Sequence, residues 1–251
     1  MSHLNTIDCH LDYLVDVDNP GFLLQIRHFY GLPASTDNGL SETAVAALEA
    51  RLSRPLPVAL RSYYRTLGAH KQLNHAHNQL LDVQHEAGLT DDGYLAFFEE
   101  NQGVVLWGIR AADFALPDPP VFARYPPSLD WEPDSPSTTG FLLTMAIYNG
   151  TLGGLPYSAN YLEPELLPPA VLPYIEQHYS ELTGLTFQAQ RFFTNEFNEV
   201  LSVSLDDQQR ASALFVGTTD ADQFEHLLEV LPLRWSYISE DDEMDDETDE
   251  A

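Results

Sequence analysis

The sequence predicts a globular fold that mixes helices with strands, and three observations carry that expectation. The chain of 251 residues is 44% hydrophobic and 11% aromatic, enough to bury a real core. A helix, a Pro-Leu-Pro break and a second helix are written over residues 41–68. Two β-rich runs, 94–98 and 104–109, are separated by five residues that include a glycine, which is hairpin spacing.

Residues 1–40 mix short apolar runs with turn residues. The stretch 22–30 (FLLQIRHFY) is a short helix or strand that Gly31-Leu32-Pro33 ends. Ser41 N-caps the next helix, and Glu42 in its first turn faces the positive end of the dipole. Val45, Leu48 and Leu52 share one face of it. Pro57 suits the first turn of the following helix, where its missing N–H costs nothing. Leu60, Tyr63, Tyr64 and Leu67 give that helix an apolar stripe, and Gly68 stands at the left-handed cap position. Residues 80–83 form a short strand or turn before the hairpin. Then come a proline-rich loop at 113–120, a strand at 121–125, a polar loop at 131–138 and a helix over 141–152 that ends in Gly153-Gly154. Residues 155–173 hold five prolines and link. The last third continues with a helix at 174–182, strands at 187–193, 199–205 and 211–216, a helix at 220–231 and a closing strand at 234–238. No internal repeat is present.

Charge is the strongest bias of the chain: 39 Asp and Glu against 11 Lys and Arg, a formal net charge of −28. Nine of those acids fall in the eleven residues 240–250, and removing them still leaves the body at −19. Such a field repels nucleic acid and anionic membrane and steers cationic partners inward. Salt adaptation is the other source of such a composition. The acidic tail lacks the apolar surface to fold and is expected to be disordered. A single cysteine, Cys9, rules out an intramolecular disulfide and fits a reducing compartment. Residues 1–20 hold Asp8, Asp12, Asp16 and Asp18 with no Lys or Arg, which is the wrong start for a secretory signal. No apolar run reaches the roughly 18 residues of a membrane span. A cytoplasmic protein is expected.

The residues that carry chemistry do not assemble into a catalytic pattern. His70, His75, His77 and His85 are close in sequence, but the NHAHN stretch reads as a solvated loop with no cysteine near it. The acidic pairs are what 39 carboxylates produce by chance. Gly150-Thr151-Leu152-Gly153-Gly154 lacks the lysine and spacing of a phosphate loop, and no nucleophile elbow or zinc-protease motif occurs. No metal, cofactor or enzymatic activity is expected. Trp107, inside VVLWGI, reads as core. Trp131, flanked by Asp130, Glu132 and Asp134, reads as surface.

Leu48-Glu49-Ala50-Arg51-Leu52, Arg54-Pro55-Leu56-Pro57 and Leu60…Tyr63-Tyr64…Leu67-Gly68 together resemble the opening of the SUKH superfamily. That family includes Smi/Knr-type cell-wall regulators and many bacterial immunity proteins. The strand at 80–86, the hairpin at 94–109 and the helix at 141–152 follow in the family's order. The resemblance covers 41–154. The turn Gly68-Ala69-His70-Lys71 lacks the family's usual glycines, and residues 155–238 match nothing in it. The resemblance implies an α+β fold, with a mixed, largely antiparallel sheet flanked by helices and used to bind proteins. It also implies neutralisation of a toxin, commonly a nuclease, and supplies no catalytic residues. The chain then divides into an extension (1–40), the family-like domain (41–154), a C-terminal α+β extension packed on the core (155–238) and the acidic tail (239–251).

The expected partner is a basic protein, a toxin domain foremost, and neither nucleic acid nor membrane. A regulatory scaffold of the same family and a nucleic-acid mimic are the alternatives. The expected contact set is Asp91, Asp92, Glu99, Glu100, Asp113, Asp118, Asp130, Trp131, Glu132 and Asp134, against only Arg110 and Arg124 in the same stretch. The hairpin tip and the loop at Trp131 are expected to project from the sheet, with Trp131 as anchor and the acids as a steering rim.

Overall fold

The computed structural model of this chain describes residues 21–125, 127–128, 130–185, 189–195 and 199–239. Cys9, the acids Asp8, Asp12, Asp16 and Asp18, and the acidic tail from Glu240 lie outside the described residues. Within them the fold is α+β, with seven α-helices and two six-stranded sheets. Every strand pairing among the described residues is antiparallel.

Four helices lead. α1 (Gly21–Phe29) settles the 22–30 run as a helix that buries Phe22, Leu23, Ile26 and Phe29. α2 (Glu42–Leu52) begins where the Ser41 hydroxyl accepts the Ala44 N–H, and stops at Ser53, left-handed at φ 55°. α3 (Val58–Leu67) follows Pro57 and buries Leu60, Tyr63, Tyr64 and Leu67. Gly68 is right-handed (φ −63°) rather than left-handed. It is small for another reason: a Cβ there would lie 2.7 Å from the Tyr64 carbonyl oxygen. α4 (Lys71–His75) starts where His70 Nδ1 accepts the Leu73 N–H, and its last two residues enter the NHAHN stretch read as loop. The asparagines of NHAHN are the structural residues there. Tyr63 donates to Asn74 at 2.6 Å, and Asn149 donates to the Leu73 and Asn78 carbonyls at 2.9 Å.

The first sheet holds β1 (Gln79–Leu80), β2 (Gly88–Leu89), β3 (Tyr94–Glu99), β4 (Leu106–Arg110), β5 (Val121–Arg124) and β6 (Trp131–Ser135). Its order is β1-β3-β4-β5-β6, with β2 also on β3. The predicted hairpin is β3–β4. An irregularity between Ala96 and Phe98 lets the adjacent Phe97 and Phe98 both turn inward. The stretch read as a polar loop is instead edge strand β6, paired with β5. Pro133 fits there because an edge strand tolerates a missing donor.

α5 (Thr138–Asn149) is the hub. Ser137 caps it through the Gly140 N–H, and Asp118 takes the Thr139 N–H and hydroxyl at 2.9 and 2.6 Å. Ten of its twelve residues are buried, so it is apolar on every side, as a central helix must be. Phe141 meets Phe97, Phe98 and Trp107 of the first sheet at ring separations of 5.5–5.6 Å. Trp107 is core, as its sequence context suggests. The helix opens into a π-type turn, Gly150–Gly154, where Gly153 takes φ +94°.

The second sheet begins with β7 (Tyr157–Tyr161), within the stretch read as a proline linker. α6 (Val171–His178), β8 (Ser180–Glu181), β9 (Gln190–Asn195), β10 (Glu199–Leu205), β11 (Ala211–Thr218), α7 (Ala221–Val230) and β12 (Tyr237–Ile238) complete it. The strand order is β12-β7-β11-β10-β9-β8. Phe192 and Val200 face the first core, around α5. Phe193, Leu201, Val203, Leu214 and Val216 face a second core closed by Ile175 of α6 and by Phe224 and Leu227 of α7. The first core runs from Phe22 to Val200 and so crosses both expected boundaries, 40/41 and 154/155.

Candidate protein-interaction surface

One face of the first sheet packs on α5 through Leu95, Trp107, Ile109, Val121 and Ala123. The residues that alternate with these point outward. Register places Tyr94 opposite Arg110, Gly108 opposite Phe122, and Arg124 opposite Trp131. Trp131 stacks on Tyr94, with centroids 4.5 Å apart and planes 13° apart. Phe122 meets Tyr94 edge-on at 5.4 Å. The Arg124 guanidinium lies 4.9 Å from the Trp131 ring, and that of Arg110 lies 5.6 Å from Phe122. Gly108 makes room for this: a Cβ there would come within 2.9 Å of the Trp131 ring. The three aromatic side chains are half-buried.

Asp92 locks the arrangement. It accepts the Trp131 indole N–H at 2.8 Å and the Thr90 hydroxyl at 2.5 Å. The Thr90 bond is the main cause that holds its carboxyl below the ordinary value, with Trp131 adding to it. Trp131 therefore lies flat on the sheet rather than projecting from a loop.

The other acids of the segment divide by what they touch. Glu100 accepts the Gln102 and Val104 N–H groups at 2.8 and 3.3 Å and shapes the hairpin turn. Asp113 holds Arg110 at 2.9 and 3.1 Å. Asp118 caps α5, and burial pushes its carboxyl up. Asp134 is half-buried beside Trp107, and burial again raises its carboxyl. Glu99 is half-buried at the end of β3. Asp91, Asp130 and Glu132 are exposed. Asp91 and Asp130 flank the aromatic face in sequence, whereas Glu132 pairs with the inward Ala123 and so lies on the other side of β6 from Trp131. Tyr94, Phe122, Arg110 and Arg124 belong to the face although the sequence alone does not select them. Their signal is the alternation in VFAR (121–124), where Phe and Arg fall on the side away from Val and Ala.

Nearly all cations of the chain are held internally. Arg27, Arg51 and Arg54 donate to backbone carbonyls. Arg61, Arg65, Arg110, Arg191 and Arg210 pair with carboxylates. Arg124 covers Trp131. These are nine of the eleven.

Among the described residues no group of three or more His, Cys, Asp or Glu is placed to hold a metal ion. His70 caps α4 with its ring edge-on to Tyr30, and His77 is edge-on to Tyr148. No helix among the described residues is long and apolar enough to cross a membrane. Comparison with family models, with curated proteins and with solved structures returned no match to this chain.

Proposed function

We propose that this chain is a non-catalytic binding protein that captures a basic protein, in the manner of an immunity protein that neutralises a nuclease-type toxin. The observation that carries the reading is the outer face of the first sheet. A preorganised Tyr94–Trp131–Phe122 surface is bordered by exposed Asp91 and Asp130, in a chain nine of whose ten arginines are engaged internally. Aromatic side chains anchor interfaces, while rim charges steer approach. Nuclease-type toxins are basic because they bind phosphates. The resemblance of residues 41–154 to SUKH proteins supports the same class.

The test begins with the neighbouring gene. A neighbour that encodes a basic toxin domain supplies the partner, and binding is then measured between the two purified proteins. Association should slow as salt rises from about 50 to about 500 mM. Asp91→Lys combined with Asp130→Lys should slow association, and Trp131→Ala should speed dissociation. A complex that forms at the same rate in all salts and with all three substitutions would place the partner elsewhere and overturn this reading.

A further inference from the structure

A cleft of about 330 Å³ opens between the α3–α4 turn and the loop 82–87. Both walls are rigid. Arg51 reaches from α2 and donates to the Val83, Gln84 and Ala87 carbonyls at 2.7, 3.0 and 2.7 Å. The loop also closes on itself, with the Asp82 N–H donating to Glu86 Oε2 at 2.9 Å. Across the cleft, Asn74 ties the turn to α3 and α4 by donating to the Leu67 and His70 carbonyls.

The lining is apolar with two carboxylates, Asp82 and Glu86, and one ammonium, Lys71. Leu40, Leu81 and Val83 supply the apolar part. Lys71 and His75 come from α4, and Asp82 and Glu86 from the loop. Lys71 is the only lysine of the chain. Among the described residues it has no carboxylate within ion-pairing distance. His75 sits near both signs of charge: burial is the main cause that lowers its proton affinity, Glu86 opposes this and Lys71 adds to it.

We infer that this cleft binds a small zwitterion of the amino-acid class with an apolar side chain. The ligand carboxylate meets the Lys71 ammonium, its ammonium meets the Glu86 carboxylate, and its side chain lies on Leu40, Leu81 and Val83. A simple anion is disfavoured by Asp82 and Glu86 and by the field of a chain at −28. A simple cation leaves Lys71 without a partner. A zwitterion answers both signs of charge and has no net charge to be repelled. Fixed walls keep the ordering cost of binding low.

Isothermal titration of the full chain with L-leucine, leucinamide and 4-methylpentanoate tests this. The amide lacks the carboxylate and the acid lacks the ammonium. Leucine should bind, and each analogue should bind at least about tenfold more weakly. Lys71→Met and Glu86→Gln should each weaken leucine by about tenfold or more, with thermal midpoints near the parent's. Lys71 is exposed, and glutamine keeps an oxygen for the Asp82 N–H, so both variants should fold. No heat with leucine up to about 20 mM would overturn the inference. So would equal binding of leucine and its two analogues, or parent-like binding by Lys71→Met. Either result leaves the reading of the sheet surface untouched.

Discussion

The two sheets are alike in size and opposite in surroundings. The second is covered on both faces, by the core around α5 on one side and by α6 and α7 on the other. Its central strands are accordingly buried at consecutive positions: in β10 the five successive residues from Glu199 to Val203 are all buried. The first sheet is covered on one face only. β5 there alternates buried and half-buried residues one by one. A sheet with both faces packed has its side chains fixed by stability. The open face of the first sheet is where side chains are available for a partner.

That contrast sets the size of mutational effects. Phe193 is fully buried in the second core. Phe193→Ala should cost about 3–5 kcal/mol, read as a shift in the urea midpoint. Trp131→Ala removes a half-buried ring, its stack and its cation–π contact, and should cost about 1–2 kcal/mol. If the two losses are equal, the outer face is as structural as the second core, and its availability to a partner is refuted.

The pH dependence of the two regions should have opposite sign. Burial raises the Glu199 carboxyl in the second sheet, against the hydrogen bond from Tyr179 at 2.6 Å. The folded chain then keeps that proton to a higher pH than the unfolded chain, so stability falls as pH rises through this window. Glu199→Gln keeps an acceptor for Tyr179. It should be more stable than the parent at pH 7 and lose that advantage below about pH 4. Asp92, on the open face, is lowered instead. Its contribution is complete above the unfolded value, about 3.9, and is lost as pH falls through the folded one. Asp92→Asn should therefore be less stable than the parent at pH 7 and converge with it in acid. Thermal melts of both variants across pH decide the matter. Matching signs would show that the two environments do not differ as described.

The smallest effect on folding should come from the exposed rim. Asp130→Lys should change stability by no more than about 0.5 kcal/mol, checked by the same melts. A larger change would mean that Asp130 is part of the framework and not of a free surface.

Legibility in the sequence follows the range of the interactions. Ser41 and the Leu60–Tyr64–Leu67 stripe announce α2 and α3 because caps and helical periodicity are local. The hairpin is local too, and its glycine, Gly103, takes φ +72°. β6 and β7 are hidden because prolines and polar residues mask strands whose only support is pairing with neighbours such as β5 and β11. α4 is hidden because its start depends on a histidine acting as cap. At the surface, Trp131 is visible as an exposed-type tryptophan among acids. Its bond to Asp92, 39 residues away, is not, because the sheet creates that proximity. The same distance effect turns Asp118 from a candidate steering charge into the cap of α5.

The continuity of the first core has a consequence for synthesis on the ribosome. Phe22 and Ile26 belong to the same cluster as Phe192 and Val200. At roughly 5–20 residues per second, α1 emerges about 10–30 s before β10 exists to complete that cluster. Through that interval the nascent chain carries an apolar helix without its full cover. The early segment must wait in an unfinished state for the late one, and a chain stopped near residue 154 would leave the ribosome with that gap still open.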